Sequence, residues 1–325
     1  MKQKFLFSLS RESSCCIKGI LCLGILLHHL AQRTQLAFLR PFGSIGFYFV
    51  AGFFFLTGYG LSAQFAERGQ QYLKGFSRRQ LCKIGLPYAA ITCLYALCCT
   101  LSGRRISLLE ILSSQLFGDP FLPFSWYALS ALLLLPTFGF CLRIAKKRAS
   151  ALLLFGLFLL GYALFCIRLG YGPWWYLSCP ALLLGAFCHG RPRSTLLLFS
   201  LGAWLLCLFF REPFLNLSAL RKMFSILSAT AAFFLFFAVF PLRSKPLHWL
   251  GERSLYFYLL QGIPMNFLRS GAFQLGDLAY ALFCALAVLA LTALAYRAAS
   301  LCRHLYASFT GRNDKLPEPP LQSLK

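Results

Sequence analysis

Acidic residues are scarce in this sequence, and so is charge of either sign. Only 9 of the 325 residues are Asp or Glu, charged residues make up 13% of the chain, and 58% of the residues are hydrophobic. A soluble domain has about a quarter of its residues charged. The chain also lacks a polar stretch long enough to form such a domain. The excess apolar surface must therefore face lipid, which predicts an all-α integral membrane protein.

Metal-binding and disulfide patterns are also missing. The 14 cysteines include no C-x-x-C pair, and no Cys/His cluster has the spacing of a zinc site. Most of them lie inside apolar runs, where cysteine behaves as a small hydrophobic residue. We therefore expect no metal and no tightly bound cofactor.

Basic residues outnumber acidic ones, 32 to 9, which gives a formal net charge of +23. Such a charge could suit nucleic acid. Here, however, the basic residues form short clusters between apolar runs, as in the cytoplasmic loops of membrane proteins. We expect contact with membrane lipid and no nucleic-acid partner.

Ten apolar runs are candidate transmembrane helices, since a span needs roughly 17–25 mostly apolar residues and shorter runs are possible inside a helix bundle. They are 15–30, 44–65, 84–101, 125–142, 149–167, 174–189, 195–210, 224–241, 254–268 and 275–301. The ninth contains Gln261, Pro264 and Asn266, so we expect it to pack inside the protein. The first follows a basic start but lacks a small-x-small cleavage site, which predicts a retained helix.

Loop charge predicts the orientation. With the N-terminus in the cytoplasm, the inner loops hold more than twice as many Lys and Arg residues as the outer loops. Both termini are therefore predicted to be cytoplasmic. We expect one transmembrane domain over residues 1–302, a short interfacial helix over 108–116, and a proline-containing disordered tail over 303–325.

Polar residues inside the first span are costly and thus candidates for function. His28 and His29 lie near its outer end and Lys18 near its inner end, and Lys18 and His29 are separated by roughly 16 Å of helix on nearly the same face. A neutral imidazole can take a proton from a hydroxyl that attacks an acyl carbonyl, and a cation can hold an anionic donor. The alternative is a polar pair at a helix end and an ordinary cytoplasmic anchor.

Two further segments have both a functional and a structural interpretation. Arg78, Arg79 and Lys83 could clamp the phosphates of a coenzyme A thioester, or could bind lipid head groups or set topology. The glycines of segment 43–60 indicate close helix packing, or a thin wall beside a pocket.

Five segments follow one another in the order seen in a known membrane family. The first has a basic residue, ten residues and a histidine, here Lys18 and His29. The others comprise Val50, Phe53, Phe54, Leu56, Gly58 and Tyr59; Arg78, Arg79, Lys83, Ile84 and Pro87; Trp126, Tyr127 and Leu132; and Leu250, Gly251, Ser254, Phe257, Tyr258, Leu259 and Gln261. From residue 17 to about 300, the chain resembles the acyltransferase family 3 membrane proteins, which include bacterial O-acetyltransferases of surface glycans.

The resemblance implies transfer of an acyl group, usually acetyl, from a cytosolic acyl-CoA co-substrate to a hydroxyl of a glycan or similar acceptor. A bacterial cytoplasmic membrane is the implied location. His29 would be the catalytic base, with Lys18 in support and Arg78, Arg79 and Lys83 on the donor side. The candidate pocket residues are His28, Ser44, Tyr59, Trp126, Tyr127, Ser254, Tyr258 and Gln261.

Departures from the family pattern matter for donor handling. Lys18 stands where many members have Arg, and Lys cannot reproduce the bidentate grip of Arg. Gln261 stands where many members have His, which excludes a second catalytic histidine at that position. Two other functions suit the sequence: a transporter of a lipid-linked or small anionic solute, and a non-enzymatic membrane protein that binds partners through its basic loops.

Overall fold

A computed structural model describes residues 6–116, 118–145, 147–210, 218–269 and 275–310. Across these residues the chain is helical, and its only β-type pairing is an isolated bridge between Leu6 and Pro192. The helices are α1 (Arg11–Ala31), α2 (Gly46–Arg68), α3 (Gln70–Leu73), α4 (Phe76–Gln80), α5 (Leu86–Leu101), α6 (Leu108–Leu116), α7 (Trp126–Ile144), α8 (Arg148–Arg168), α9 (Pro180–Cys188), α10 (Arg193–Phe209), α11 (Ser218–Val239), α12 (Lys245–Glu252), α13 (Ser254–Leu260), α14 (Gly262–Phe267) and α15 (Asp277–Thr310). Short 3-10 helices cover Ala37–Ser44 and Pro173–Trp175, and a π-helical turn, Leu81–Gly85, joins α4 to α5.

Seven helical segments in the described part of the chain are long and apolar enough to cross a membrane. They are α1, α2, the continuous stretch Phe76–Leu101, α7, α8, α11 and the Asp277–Cys302 part of α15. This confirms the all-α polytopic membrane fold. The three remaining predicted spans fall on shorter helices, namely α9, the 17-residue α10, and the pair α13 and α14. The count of ten spans therefore stays a prediction.

Close helix pairs are built around glycines. A Cβ at Gly58 of α2 would lie 1.9 Å from the carbonyl oxygen of Leu182 in α9, and one at Gly251 of α12 would lie 1.8 Å from that of Cys15 in α1. Only glycine permits such an approach of two helix backbones. Gly46 fits the second interpretation of segment 43–60, a thin wall beside a pocket. A Cβ at Gly46 would meet the His28 ring at 2.4 Å. Both close packing and a thin wall therefore occur.

Helices α13 and α14 form a broken helix in the protein interior. Leu259 and Gln261 are fully buried, and Met265 is also buried, which confirms that this segment packs inside the protein. Gln261 lies at the junction of α13 and α14. A helix can be interrupted at membrane depth where it is buried in protein, because its free backbone groups are then shielded from lipid.

Two further predictions concern the chain outside the bundle. Helix α6 has the predicted bounds and carries exposed leucines, Leu108 and Leu109 among them. Helix α15 continues to Thr310, which is beyond Arg303 where the tail was expected to begin. Residues 311–325 lie outside the described part of the chain.

Candidate active site

A cavity of about 470 Å³ lies at the C-terminal end of α1. Its wall combines the end of α1 with both 3-10 helices and the start of α2. The segment before α7, the first residue of α7, the first turns of α11, and α13 complete it. Of the predicted site residues, it is lined by His28, His29, Ser44, Trp126 and Tyr258. The structure therefore brings predicted side chains from three other parts of the chain together with the two histidines.

A hydrogen-bonded chain fixes the orientation of both imidazoles. His28 Nδ1 lies 2.8 Å from the carbonyl oxygen of Phe42, and a carbonyl can only accept, so Nδ1 carries the proton. The neutral ring then accepts at Nε2 from the Gln32 amide nitrogen, 3.2 Å away. The Gln32 oxygen in turn accepts from Nδ1 of His29 at 3.3 Å.

This chain leaves the lone pair of His29 on Nε2, since a neutral imidazole has one donor and one acceptor nitrogen. Nε2 has no hydrogen-bond partner among the described residues, whereas the ring itself is only 8% exposed. His29 lines the cavity. Its free nitrogen is therefore a proton acceptor in a sheltered site, the arrangement that a general base needs.

The ring of Phe124 covers one face of the His29 imidazole. Its ring stacks on His29 with centroids 3.8 Å apart and planes inclined by 19°. Its φ of 64° is the only positive value found for a non-glycine residue in the described chain. A bulky residue in this left-handed region costs about 1–3 kcal/mol, and such strain concentrates at functional sites.

Tyr258 stabilises the strained turn. Its hydroxyl donates to the carbonyl oxygen of Phe124 and accepts from the backbone N–H of Tyr127 at 3.2 Å. Tyr258 belongs to the buried helix α13. Through Tyr258, the buried helix α13 therefore holds the Phe124 backbone in place, and the Phe124 ring stacks on His29.

The rim of the cavity offers both charge and aromatic surface. Lys222 of α11 places its Nζ 3.8 Å from the ring centroid of Phe47, a favourable cation–π distance. Asp119, Trp126 and Trp174 also line the cavity. Indole rings present a large apolar face together with one N–H donor, which suits ligands of mixed polarity.

The basic residues predicted for the donor side lie away from this cavity. Lys18 sits about three helical turns below His29 on α1, and its charge lies within electrostatic range of Lys83. Lys83 is part of the π-helical turn, a rare element that often occurs at functional sites. Neither lysine has a salt-bridge partner among the described residues, so two cations share one region without a counter-charge.

Arg78 and Arg79 follow Gly75 in the short helix α4. Arg79 donates to the carbonyl oxygens of Lys74 and Tyr72, and its guanidinium lies 5.7 Å from the Tyr72 ring centroid. These contacts stabilise its own loop. Both arginines are exposed. Arg78 makes no side-chain hydrogen bond or ion pair among the described residues, so it is the more available of the two for an external anion.

Four predicted pocket residues lie outside the cavity lining: Tyr59, Tyr127, Ser254 and Gln261. Tyr59 accepts from the backbone N–H of Leu9. Tyr127 packs edge-on to Phe54. The backbone oxygen of Ser254 accepts a weak bond from the Cys22 thiol. The Gln261 amide has no hydrogen-bond partner in the described structure.

Sequence reasoning missed Gln32, Phe124 and Lys222. Gln32 could have been found, because it follows His28 by four positions and His29 by three, the spacing of one helix face. Phe124 and Lys222 lie far from α1 in sequence and carry no local pattern. Only the tertiary structure places them beside the histidines.

The fold and the site define a class: a multi-pass helical membrane protein with a buried, oriented histidine in a cavity. The family model for acyltransferase family 3, described as an acyltransferase domain, matches residues 15–297. The chain therefore belongs to this family and is a membrane acyltransferase. Searches of the curated proteins and of the solved structures each returned no match.

Proposed function

We propose that the protein transfers an acyl group, most simply acetyl, from cytosolic acyl-CoA to a hydroxyl of a cell-surface glycan or similar acceptor in a bacterial cytoplasmic membrane. His29 acts as the general base. The observation that carries this proposal is the hydrogen-bonded chain from Phe42 through His28 and Gln32, which leaves Nε2 of His29 free in the cavity.

The proposed step transfers one proton and one acyl group. The acceptor oxygen attacks the thioester carbonyl while Nε2 of His29 takes the hydroxyl proton. The carbon–sulfur bond then breaks, and the imidazolium returns the proton to the departing thiolate. Gln32 accepts from Nδ1–H throughout, so His29 stays in the tautomer that can receive the proton.

The donor is proposed to approach from the side of Lys18. Coenzyme A carries its phosphates at one end and its thioester at the other, joined by an extended arm. Phosphates near Lys18 and Lys83 would offset the repulsion between these two cations. The eleven residues from Lys18 to His29 span roughly 16 Å of helix, a separation that an extended arm can bridge.

The acceptor is proposed to enter over the aromatic rim. Trp126 and Trp174 line the cavity and can pack against the apolar face of a sugar ring. Lys222 and Asp119 can bind its polar groups through hydrogen bonds. These contacts support a hydroxyl-rich acceptor. Which acyl group the protein transfers is tested by the choice of acyl-CoA offered as donor.

The experiment uses sealed membrane vesicles with the cytoplasmic face outward and acetyl-labelled coenzyme A. We expect wild-type vesicles to transfer label to membrane or glycan material, and His29→Ala vesicles with equal protein to lose that transfer. His248→Ala is the matched control, because His248 lies in α12, away from the cavity. Transfer of label that is unaffected by His29→Ala would contradict the assignment of the base. Failure of the wild type to bind the donor at all would favour the transporter alternative.

A further inference from the structure

A second and larger cavity, about 760 Å³, lies beside α9. Helices α8, α9, α10 and α11 contribute to its wall. None of its lining residues belongs to the candidate active site. The proposed transfer reaction makes no use of this cavity.

The polar side chains lie at one end of the cavity, and the rest of the wall is apolar. Its titratable residues, Arg148, His189 and Arg191, all occur where α8 begins and α9 ends. Farther along, the wall is apolar and includes Leu152, Leu183 and Phe199. Among the described residues, the lining of the cavity includes no Asp or Glu.

The charged end has uncompensated positive charge. The charges of Arg148 and Arg191 lie close enough to repel each other, and neither arginine has an acidic partner among the described residues. His189 lines the same end of the cavity, and the two arginines carry the permanent positive charge here. An anion between the two guanidinium groups would remove this repulsion.

The two arginines differ in how firmly they are held. Arg148 donates from Nη2 to the carbonyl oxygens of Ala186 and His189, which fixes it against the C-terminal end of α9. Its Nε and Nδ1 of His189 are left without a hydrogen-bond partner in the described structure. Arg191 is exposed, with its guanidinium 5.2 Å from the Phe187 ring centroid. One arginine is therefore anchored and the other is accessible.

The lining residues of α9 extend over about two thirds of the depth of one membrane leaflet. From Phe187 to Pro180, α9 rises by roughly 10 Å at 1.5 Å per residue. Half of a hydrocarbon core is roughly 15 Å. An acyl chain lying along α9 would therefore place its phosphate beside Arg148 and Arg191.

We propose that this cavity binds an anionic phospholipid, with the phosphate at Arg148 and Arg191 and one acyl chain along the apolar wall of α8, α9 and α10. The site is independent of the acyl-transfer reaction. A bound lipid would bridge four helices and so stabilise this part of the bundle.

The experiment offers the purified protein equal amounts of phosphatidylglycerol and phosphatidylcholine and counts bound lipid by native mass spectrometry. We expect phosphatidylglycerol to be retained in excess, and Arg191→Gln to lower its retention about fivefold, as expected for ~1 kcal/mol per basic residue. Arg191→Lys should restore much of that loss. Leu183→Trp, which fills the apolar wall, should lower retention while both arginines remain.

The matched control is Arg243→Gln, which removes an equal charge from a side chain that is 79% exposed and does not line this cavity. It should leave retention unchanged. Equal retention of the two lipids, or equal losses in Arg191→Gln and Arg243→Gln, would overturn the proposal. Displacement of the lipid by inorganic phosphate, with Leu183→Trp unaffected, would show a free phosphate site instead and would also overturn it.

Discussion

The ring of Phe124 lies flat on the imidazole of His29, with the ring centroids 3.8 Å apart. The contact joins a histidine in α1 to a residue whose backbone is held in the left-handed region immediately before α7. Tyr258 fixes that turn from the interior through the Phe124 carbonyl oxygen. The position of the proposed base is therefore set by three separate segments of the chain.

Replacing Phe124 tests this contact. Phe124→Ala removes the stacking surface, and we expect acyl transfer to fall about 10- to 100-fold, because small misplacements of a catalytic group cost rates of this order. Phe124→Tyr keeps the flat ring and should retain most of the activity. Initial rates of label transfer at equal protein provide the measurement. Equal rates in the two variants would show that the ring does not orient His29.

Gln32 is expected to act as a positioning residue. Gln32→Leu leaves Nδ1 of His29 without its acceptor, so the neutral ring can adopt the tautomer that blocks Nε2. We expect a rate loss of about tenfold or more. Gln32→Glu still offers an oxygen to Nδ1–H and should lose less.

The tautomer itself can be observed by nitrogen-15 NMR of labelled histidine in the solubilised protein. Wild type should show the proton of His29 on Nδ1, and Gln32→Leu should show a mixed population. A rate loss in Gln32→Leu with an unchanged tautomer would contradict the positioning role.

Gly46, the first residue of α2, lies directly against the ring of His28. A Cβ at this position would meet that ring at 2.4 Å, so Gly46→Ala must displace it and disturb the chain to His29. We expect a clear loss of transfer without loss of expression. Gly43→Ala is the control, because Gly43 lines the same cavity but its Cβ would meet only Ala31, at an ordinary 3.9 Å. Similar losses in both variants would argue against a specific effect on His28.

Gln261 is a buried amide, and neither of its polar atoms has a hydrogen-bond partner in the described part of the chain. An unsatisfied buried polar group costs about 1–3 kcal/mol, so Gln261→Met should raise the thermal stability of the solubilised protein. Gln71→Met, at an exposed position, is the control. A lower melting temperature for Gln261→Met would show that the amide makes stabilising contacts in the native protein.

Several features could be predicted from the sequence because they depend on local pattern. The apolar run with His28 and His29 at its end predicts α1, and hydropathy identifies the long spans. Hydropathy does not predict where an apolar run divides into shorter helices. Residues 174–189 and 254–268 contain Pro180 and Pro264, and there the structure has the short helices α9, α13 and α14, so these two spans stay predictions.

In the candidate site, too, some residues could be predicted from local sequence and others only from tertiary packing. Lys18 and His29 share one helix, so their separation follows from helix geometry alone. Tyr59 and Tyr127 belong to matched motifs, yet they face other contacts because side-chain direction depends on how the helices pack. Phe124 and Lys222 reach the cavity through tertiary packing, which no local periodicity encodes.

The central claim is that Nε2 of His29 accepts the acceptor's proton. The most direct measurement compares the rates of acetyl transfer for His29→Gln and His28→Gln in vesicles matched for protein. A general base contributes about 10²- to 10⁴-fold, so His29→Gln should lose at least about 100-fold, while His28→Gln, one step removed in the chain, should lose less. Full activity in His29→Gln, or a greater loss in His28→Gln, would contradict the account.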